Sequence, residues 1–204
     1  APIIVFAAIK KIKIIPTYIL LSVGYMLVNL ALLNYMSDTR GWNWSGKSSA
    51  IAFSLVIFLA FPKLRTEMGF TLTQKNNSTA KSLAAIAMLF FFSFCLSLTQ
   101  ERTPFNIETI LFQLTMPSLD EEMAYRGIFL FLLSRGLPAN NNSKFNLAAI
   151  LITLLFGAIH GVHYSSGDLN IDPLGFLMAA AIGAVLMYMR LLSGSVIFPI
   201  LGHS

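Results

Sequence analysis

The stretch from Asp120 to Gly127, Asp-Glu-Glu-Met-Ala-Tyr-Arg-Gly, places three acids and one arginine directly ahead of the apolar run Ile-Phe-Leu-Phe-Leu-Leu. Glu122 and Arg126 are four residues apart, so on a helix they share one face and can form an ion pair. Of the two glutamates, that pairing leaves Glu121 without a partner. A carboxylate without a partner in low-dielectric surroundings can act as a general base.

A simpler interpretation is that the acids cap a helix that begins at Ser118. Serine is a favoured N-cap residue, and carboxylates near a helix N-terminus interact well with the helix dipole. This interpretation accounts for Asp120 and for one glutamate. It leaves Arg126, about two turns further along, without a reason to be in an apolar segment, where a charged side chain costs at least ~2.5–3.5 kcal/mol.

All three histidines of the chain lie in or beside apolar segments, and none lies in a lysine-rich loop. His160 follows Phe156 by four residues, His163 comes one turn later, and His203 lies in the last apolar run. Imidazole can transfer protons at neutral pH or bind a metal. We expect His160 and His203 to contribute to chemistry, and His163, at a polar loop edge, to contribute least.

The composition determines what kind of structure must position these residues. The chain has 204 residues, of which 56% are hydrophobic and 11% charged, and its mean hydropathy is +0.72. Soluble domains carry about 25% charged residues. We therefore predict an all-α polytopic transmembrane helix bundle with about seven visible spans, and we expect an eighth span to be missing from the chain. The predicted spans are 16–36, 45–61, 82–98, 118–133, 145–164, 173–192 and 195–204, with residues 106–117 forming either an interfacial helix or an extension of the fourth span.

The distribution of basic residues predicts the orientation in the membrane. If the N-terminus is cytoplasmic and the spans alternate, three basic residues fall on the outer side: Arg40, Lys47 and Arg102. Ten fall on the cytoplasmic side: Lys10, Lys11, Lys13, Lys63, Arg65, Lys75, Lys81, Arg135, Lys144 and Arg190. Positive residues mark the cytoplasmic side. We predict a multi-pass protein of the bacterial inner membrane whose net charge of +5 reflects its loops and indicates no nucleic-acid partner.

Three motifs occur in order. Glu-Glu-Met-Ala-Tyr-Arg (121–126) matches Glu-Glu-x-x-x-Arg, Phe-Gly-Ala-Ile-His (156–160) matches Phe-x-x-x-His, and His203 lies late in a segment that starts with Gly-Ser. Together they resemble the CPBP family, the CAAX-protease and bacteriocin-processing (Abi) intramembrane proteases, which include the type II CAAX prenyl endopeptidases. The resemblance covers about residues 80–204, a predicted catalytic core, and leaves 1–79 as transmembrane helices without motifs.

The resemblance implies a role for each motif residue. Glu121 and His160 would activate a water, and His203 would help to stabilise the oxyanion. Glu122 and Arg126 would brace the site or hold substrate, with Phe156 and His163 as supporting residues. The substrate would be a membrane-associated peptide, such as a prenylated CAAX tail or a bacteriocin leader.

Two features depart from the family pattern. The family usually has Asn or Asp four residues after the last histidine, and that position would be 207, beyond Ser204. The charge distribution also puts Glu121 toward the outer side, whereas prenyl proteases are expected to open to the cytosol. A fourth span that began near Ile107 would move Glu121 to mid-membrane and reduce this conflict.

Three alternatives to a metal-free protease stay open. Two glutamates and two histidines could bind zinc, although His-Glu-x-x-His is absent and we expect no cofactor. A non-catalytic scaffold or bacteriocin-immunity protein could keep the same fold. A transporter could use the charges as an ion relay, but we find neither the inverted repeats nor the interrupted helices typical of transporters.

Overall fold

The computed structural model describes residues 14–38, 41–75, 77–99, 105–137, 146–165 and 168–204. The predicted all-α fold is confirmed, apart from one short strand pair. The helices are α1 (Pro16–Tyr35), α2 (Trp44–Ala60), a 3-10 turn (Pro62–Leu64), α3 (Ser78–Ser97), α4 (Ile107–Glu121), a π-helix (Glu122–Phe129), α5 (Leu130–Gly136), α6 (Leu147–Gly161), α7 (Pro173–Ser193) and α8 (Ile197–His203), and the strands are β1 (Val162–Ser165) and β2 (Asp168–Ile171).

Among the described residues, three helices are long and apolar enough to cross a membrane: α1, α3 and α7. Their bounds agree with the predicted first, third and sixth spans to within a few residues. The second and fifth predicted spans correspond to α2 and α6, which are apolar but shorter, at 17 and 15 residues.

The fourth predicted span begins earlier than Ser118. α4, the π-helix and α5 form one continuous helix, which we call the central helix (residues 107–136). Its N-cap is Asn106, whose side chain accepts from the N–H groups of Glu108 and Thr109. The predicted start of the fourth span near Ser118 is therefore wrong, and so is the simpler interpretation that the acids cap a helix there. The alternative that residues 106–117 extend the span is right. Glu121 lies 14 residues after Ile107, about 21 Å along the helix.

The fifth predicted span ends earlier than Tyr164. α6 ends at Gly161, and residues 162–165 pair antiparallel with residues 168–171. The N–H of Asp172 donates to the carbonyl of Gly161 at 2.7 Å. This bond joins the end of α6 to the residue that precedes α7, at the base of the strand pair. The run Val-His-Tyr favours a strand, because β-branched and aromatic residues fit a pleated backbone.

α6 and α7 pack very closely. A Cβ at Gly157 would come within 2.9 Å of both the Ala180 side chain and the carbonyl of Phe176. Helices in lipid gain little from apolar burial against each other, so small residues that permit close contact are the usual solution. This packing fixes the position of the C-terminal turn of α6, which carries Phe156 and His160, against α7.

One end of the bundle collects basic loop residues. Backbone hydrogen bonds join Ile15 to Gly136, Gly69 to Val196, and Lys75 to Ser193. This end therefore carries four residues that the charge distribution had grouped together: Lys63, Arg65, Lys75 and Arg135. Arg40, Arg102, Lys144 and the lysines before residue 14 lie outside the described residues, and the orientation in the membrane stays a prediction.

Two basic residues that were predicted to be loop charges, Arg190 and Lys47, lie within helices and point into the fold. Arg190 is buried in α7 and donates to the carbonyls of Arg126 and Glu67, both at 2.8 Å. Lys47 lies in the first turn of α2 and directs its ammonium group toward the central helix. Both side chains are drawn into the fold because buried oxygens there need a donor.

Candidate active site

Glu122 and Arg126 form the predicted ion pair. Nη1 of Arg126 donates to Oε1 of Glu122 at 2.9 Å, and both side chains are fully buried. Arg126 also donates to the carbonyl of Gly183 at 3.3 Å and lies 4.2 Å from the ring centroid of Phe156. A buried charge pair needs such additional partners, because its mutual attraction must offset the desolvation of both ions.

The ion pair sits in a π-helix whose eight residues, Glu122–Phe129, are all buried. The wider i→i+5 bonding of a π-helix is rare and is found frequently at functional sites. Here the carbonyl of Arg126 accepts from Nε of Arg190. That bond ties the π-helix to α7 and holds the backbone between Glu122 and Arg126 in place.

Glu121 is not the free carboxylate that we predicted. Its Oε1 accepts from Nζ of Lys47 at 2.8 Å, and the same ammonium donates to Oδ2 of Asp120 at 2.9 Å. Oε2 of Glu121 has no hydrogen-bond partner among the described residues. One carboxylate oxygen is thus neutralised and the other can still accept a proton or a hydrogen bond.

Lys47 is a site residue that was not predicted, because a lysine just ahead of an apolar run is typical of an outer loop. The available signal was its context, Trp-Ser-Gly-Lys-Ser-Ser (44–49), which leads directly into an apolar run. A lysine that close to a membrane span could have been considered as a partner for Asp120 and Glu121, the acids in excess over Arg126.

His203 lies between the two glutamates. Its Nδ1 is 2.7 Å from Oε1 of Glu122, and its Nε2 is 3.9 Å from Oε2 of Glu121. A carboxylate that is already paired with Arg126 accepts, so Nδ1 of His203 carries the hydrogen. Nε2 can then donate only when the ring holds both protons.

His160 is oriented by its own helix. Its Nδ1 lies 2.7 Å from the carbonyl oxygen of Phe156, which can only accept, so Nδ1 carries the hydrogen and Nε2 of the neutral ring has a free lone pair. The buried Phe156 ring connects the site: its centroid is 4.5 Å from the His160 ring and 6.1 Å from the His203 ring.

His163 lies elsewhere. It is on β1, opposite Asn170, and is exposed. Within the described part of the chain, no hydrogen bond, ion pair or ring contact joins it to Glu121, His160 or His203. The structure thus brings together the three predicted catalytic residues and three of the predicted supporting ones, Glu122, Arg126 and Phe156.

The described residues contain no group of three or more His, Cys, Asp or Glu side chains arranged to hold a metal ion. Lys47 and Arg126 provide positive charge beside the three acids. With those contacts filled, the arrangement can abstract a proton at Glu121 or His160 and can donate from His203.

Residues 103–204, half of the chain, match the sequence profile of a family described as "Type II CAAX prenyl endopeptidase Rce1-like". The chain belongs to this family. Membership in the Rce1-like family confirms the predicted resemblance to CAAX proteases and, together with the apolar helices, identifies an integral membrane protein of a peptidase family. Comparisons with curated proteins and with solved structures gave no match. Of the clustered side chains, only Lys47 lies outside the matched residues.

Proposed function

We propose that the protein is an intramembrane endopeptidase that uses a water activated by Glu121 and His160. The observation that carries this proposal is the unpartnered Oε2 of Glu121, 3.9 Å from Nε2 of His203. A buried oxygen without a partner is uncommon in folded proteins. Asp120 and Glu122 each have one too, but their side chains are only 2% and 0% exposed, against 16% for Glu121. Nε2 of His203 lies beside it, and the Nδ1 atoms of both His203 and His160 are occupied, which leaves their Nε2 atoms for chemistry.

The reaction needs one proton acceptor and one proton donor. Glu121 Oε2, assisted by Nε2 of His160, takes a proton from a water molecule as the oxygen of that water attacks the peptide carbonyl carbon. The resulting tetrahedral intermediate breaks its C–N bond, and the departing nitrogen takes up the proton held by the general base. The products are a carboxylate and an amine, and no covalent bond to the protein forms.

His203 is the group placed to meet the negative oxygen of that intermediate. With both ring nitrogens protonated, its Nδ1–H stays on Glu122 and its Nε2–H is free to donate. Removing one such donor typically slows catalysis by about 10²–10³-fold. Glu122 then acts by holding the His203 ring through Nδ1, and Arg126 acts by holding Glu122. Neither residue faces the reacting atoms.

The family description, a prenyl endopeptidase, and the apolar surroundings of the site support a lipid-modified peptide as the substrate. We propose a peptide with a prenylated C-terminal CAAX sequence. A bacteriocin leader or another membrane-associated peptide is the alternative that the experiment must separate.

The test is cleavage by the purified full-length protein in lipid vesicles. Peptides with a farnesylated CAAX tail, the same tail without the lipid, and an unrelated leader sequence are compared. Glu121→Gln should lower the rate of cleavage by about 10²–10⁴-fold, the usual contribution of a general base. Glu108→Gln is the matched control, because Glu108 lies on the same helix about 20 Å away and is exposed.

The outcomes separate the remaining hypotheses. Full activity of Glu121→Gln would overturn the role of Glu121. Loss of cleavage with a chelator and recovery with zinc would establish a metal enzyme. Cleavage of none of the peptides by the unmodified protein would favour a scaffold, and ion flux across the vesicles would favour a transporter.

A further inference from the structure

Lys47 is a site residue that lies outside residues 103–204, the part of the chain that matches the family. It lies on α2, and its ammonium group contacts both Glu121 and Asp120, residues that are 74 and 73 positions away in the sequence. The Lys47 side chain is 14% exposed and that of Asp120 only 2%. The Glu-Glu-x-x-x-Arg motif contains neither of these residues.

We propose that Lys47 is a positioning residue for the reaction, held by Asp120, that fixes Glu121 through Oε1 so that Oε2 faces the water and the scissile carbonyl. This inference rests on the proposed function. Lys47 does not touch the reacting atoms itself. It acts by determining where one carboxylate oxygen is and which charge the carboxylate carries.

Lys47 is held at two points and not at one. We call the arrangement of Lys47 between Asp120 and Glu121 the lysine clamp. A lysine ammonium group is carried on a flexible stem of four carbons. An exposed lysine would therefore pair with Glu121 only part of the time. Here Asp120, on the same helix as Glu121, holds the ammonium from a second direction at 2.9 Å. Two contacts at 2.8 and 2.9 Å leave the ammonium little freedom to move away.

The lysine clamp also compensates negative charge around Glu121. Asp120 and Glu122 flank Glu121, and the Glu122 charge is neutralised by Arg126. Lys47 is the cation that faces Asp120 and Glu121. His203 approaches Glu121 from α8, and His160 of α6 joins the cluster through the Phe156 ring. Without Lys47, Glu121 would face an adjacent uncompensated acid, and the carboxylate would rotate or hold its proton.

The test separates positioning from folding by means of four variants of the full-length protein. Lys47→Met removes the ammonium group but keeps a similar volume, and it leaves two acids uncompensated. Asp120→Asn removes one of those acids. The double variant Lys47→Met with Asp120→Asn loses one cation and one anion. Lys63→Met is the matched control, since Lys63 is an exposed residue on the 3-10 turn at the basic end.

For each variant, kcat, KM and the thermal midpoint in detergent are measured. We expect Lys47→Met to lower both kcat and the midpoint. The double variant should recover the midpoint, while its kcat stays about 10²-fold below that of the unmodified protein with KM nearly unchanged, because a displaced catalytic group affects the chemical step. Lys63→Met should leave all three quantities unchanged.

Recovery of kcat together with the midpoint in the double variant would overturn the proposal, because it would reduce Lys47 to a structural ion-pair partner. A loss confined to KM would also overturn it and would place Lys47 in substrate binding. Failure of the proposed function looks different: the unmodified protein would then cleave none of the peptides, and the positioning role would fall with it.

Discussion

Glu121 and Glu122 are adjacent in the chain but lie in two contrasting regions of the site. Glu122 is fully buried, and its partners are Arg126, one helical turn away, and His203. Glu121 is 16% exposed, and its partner Lys47 comes from a different helix. The Glu122 region is sealed around an ion pair within one helix, whereas the Glu121 region is partly open and takes its cation from another helix. In both glutamates Oε2 has no hydrogen-bond partner among the described residues.

The difference shows how one motif can serve both stability and chemistry. The sealed region has a carboxylate, a carbonyl and an aromatic ring arranged around Arg126, so its charges are balanced within the protein. The open region pairs Glu121 with a lysine from α2 and leaves its side chain partly exposed. Unfavourable arrangements of this kind persist at sites where they are used, which is why perturbed acids are candidates for catalysis.

The largest expected effect is on the sealed region. Arg126→Ala would leave Glu122 buried without its cation and should lower the free energy of unfolding by about 3–5 kcal/mol. Thermal or denaturant unfolding in detergent measures it. The control is Arg135→Ala, which breaks an exposed pair with Glu67 and should cost no more than ~1 kcal/mol. Equal losses for the two variants would contradict the view that the sealed pair is structural.

The next effect is on the open region. His160→Ala should reduce cleavage by about 10²–10⁴-fold, as expected when a general acid–base group is lost. Its thermal midpoint should change little, because the side chain makes one hydrogen bond, to its own helix. A variant that loses the fold together with the activity would show that His160 belongs to the structural part of the site.

A smaller effect is expected where α7 contacts the sealed region. A Cβ at Gly183 would lie 3.0 Å from Cδ1 of Phe156 and 3.1 Å from Nη2 of Arg126. Gly183→Ala should therefore cost about 1–3 kcal/mol through overpacking. Gly24→Ala on α1 is the control, since no atom of another described helix lies within 4 Å of the added carbon. A neutral Gly183→Ala would mean that the ring and the guanidinium group can move apart freely.

The smallest effect is expected at His163. This residue is exposed on β1 and away from both regions, so His163→Ala should change cleavage by no more than about twofold and stability by less than about 0.5 kcal/mol. An inactive His163→Ala beside an active His160→Ala would show that the wrong histidine had been assigned to the site.

Much of the fold could be predicted because the relevant signals are local. Apolar runs of sufficient length predict helices in a membrane wherever they occur, and most of the helices lie close to the predicted segments. The errors fall where a local signal was ambiguous. Ser118 resembles an N-cap, but Asn106 provides the cap of a longer helix, and the run Val-His-Tyr continues an apolar segment although it forms a strand.

The sequence by itself determined the pairing of Glu122 with Arg126, because two residues four apart on one helix must share a face whatever surrounds them. It also indicated that Glu121, His160 and His203 belong to one site, through the family motifs. Only the tertiary structure decided that Lys47 is the partner of Glu121 and that His203 lies between the two glutamates. Those contacts depend on how separate helices pack, and no spacing along the chain encodes a distance between side chains 74 residues apart.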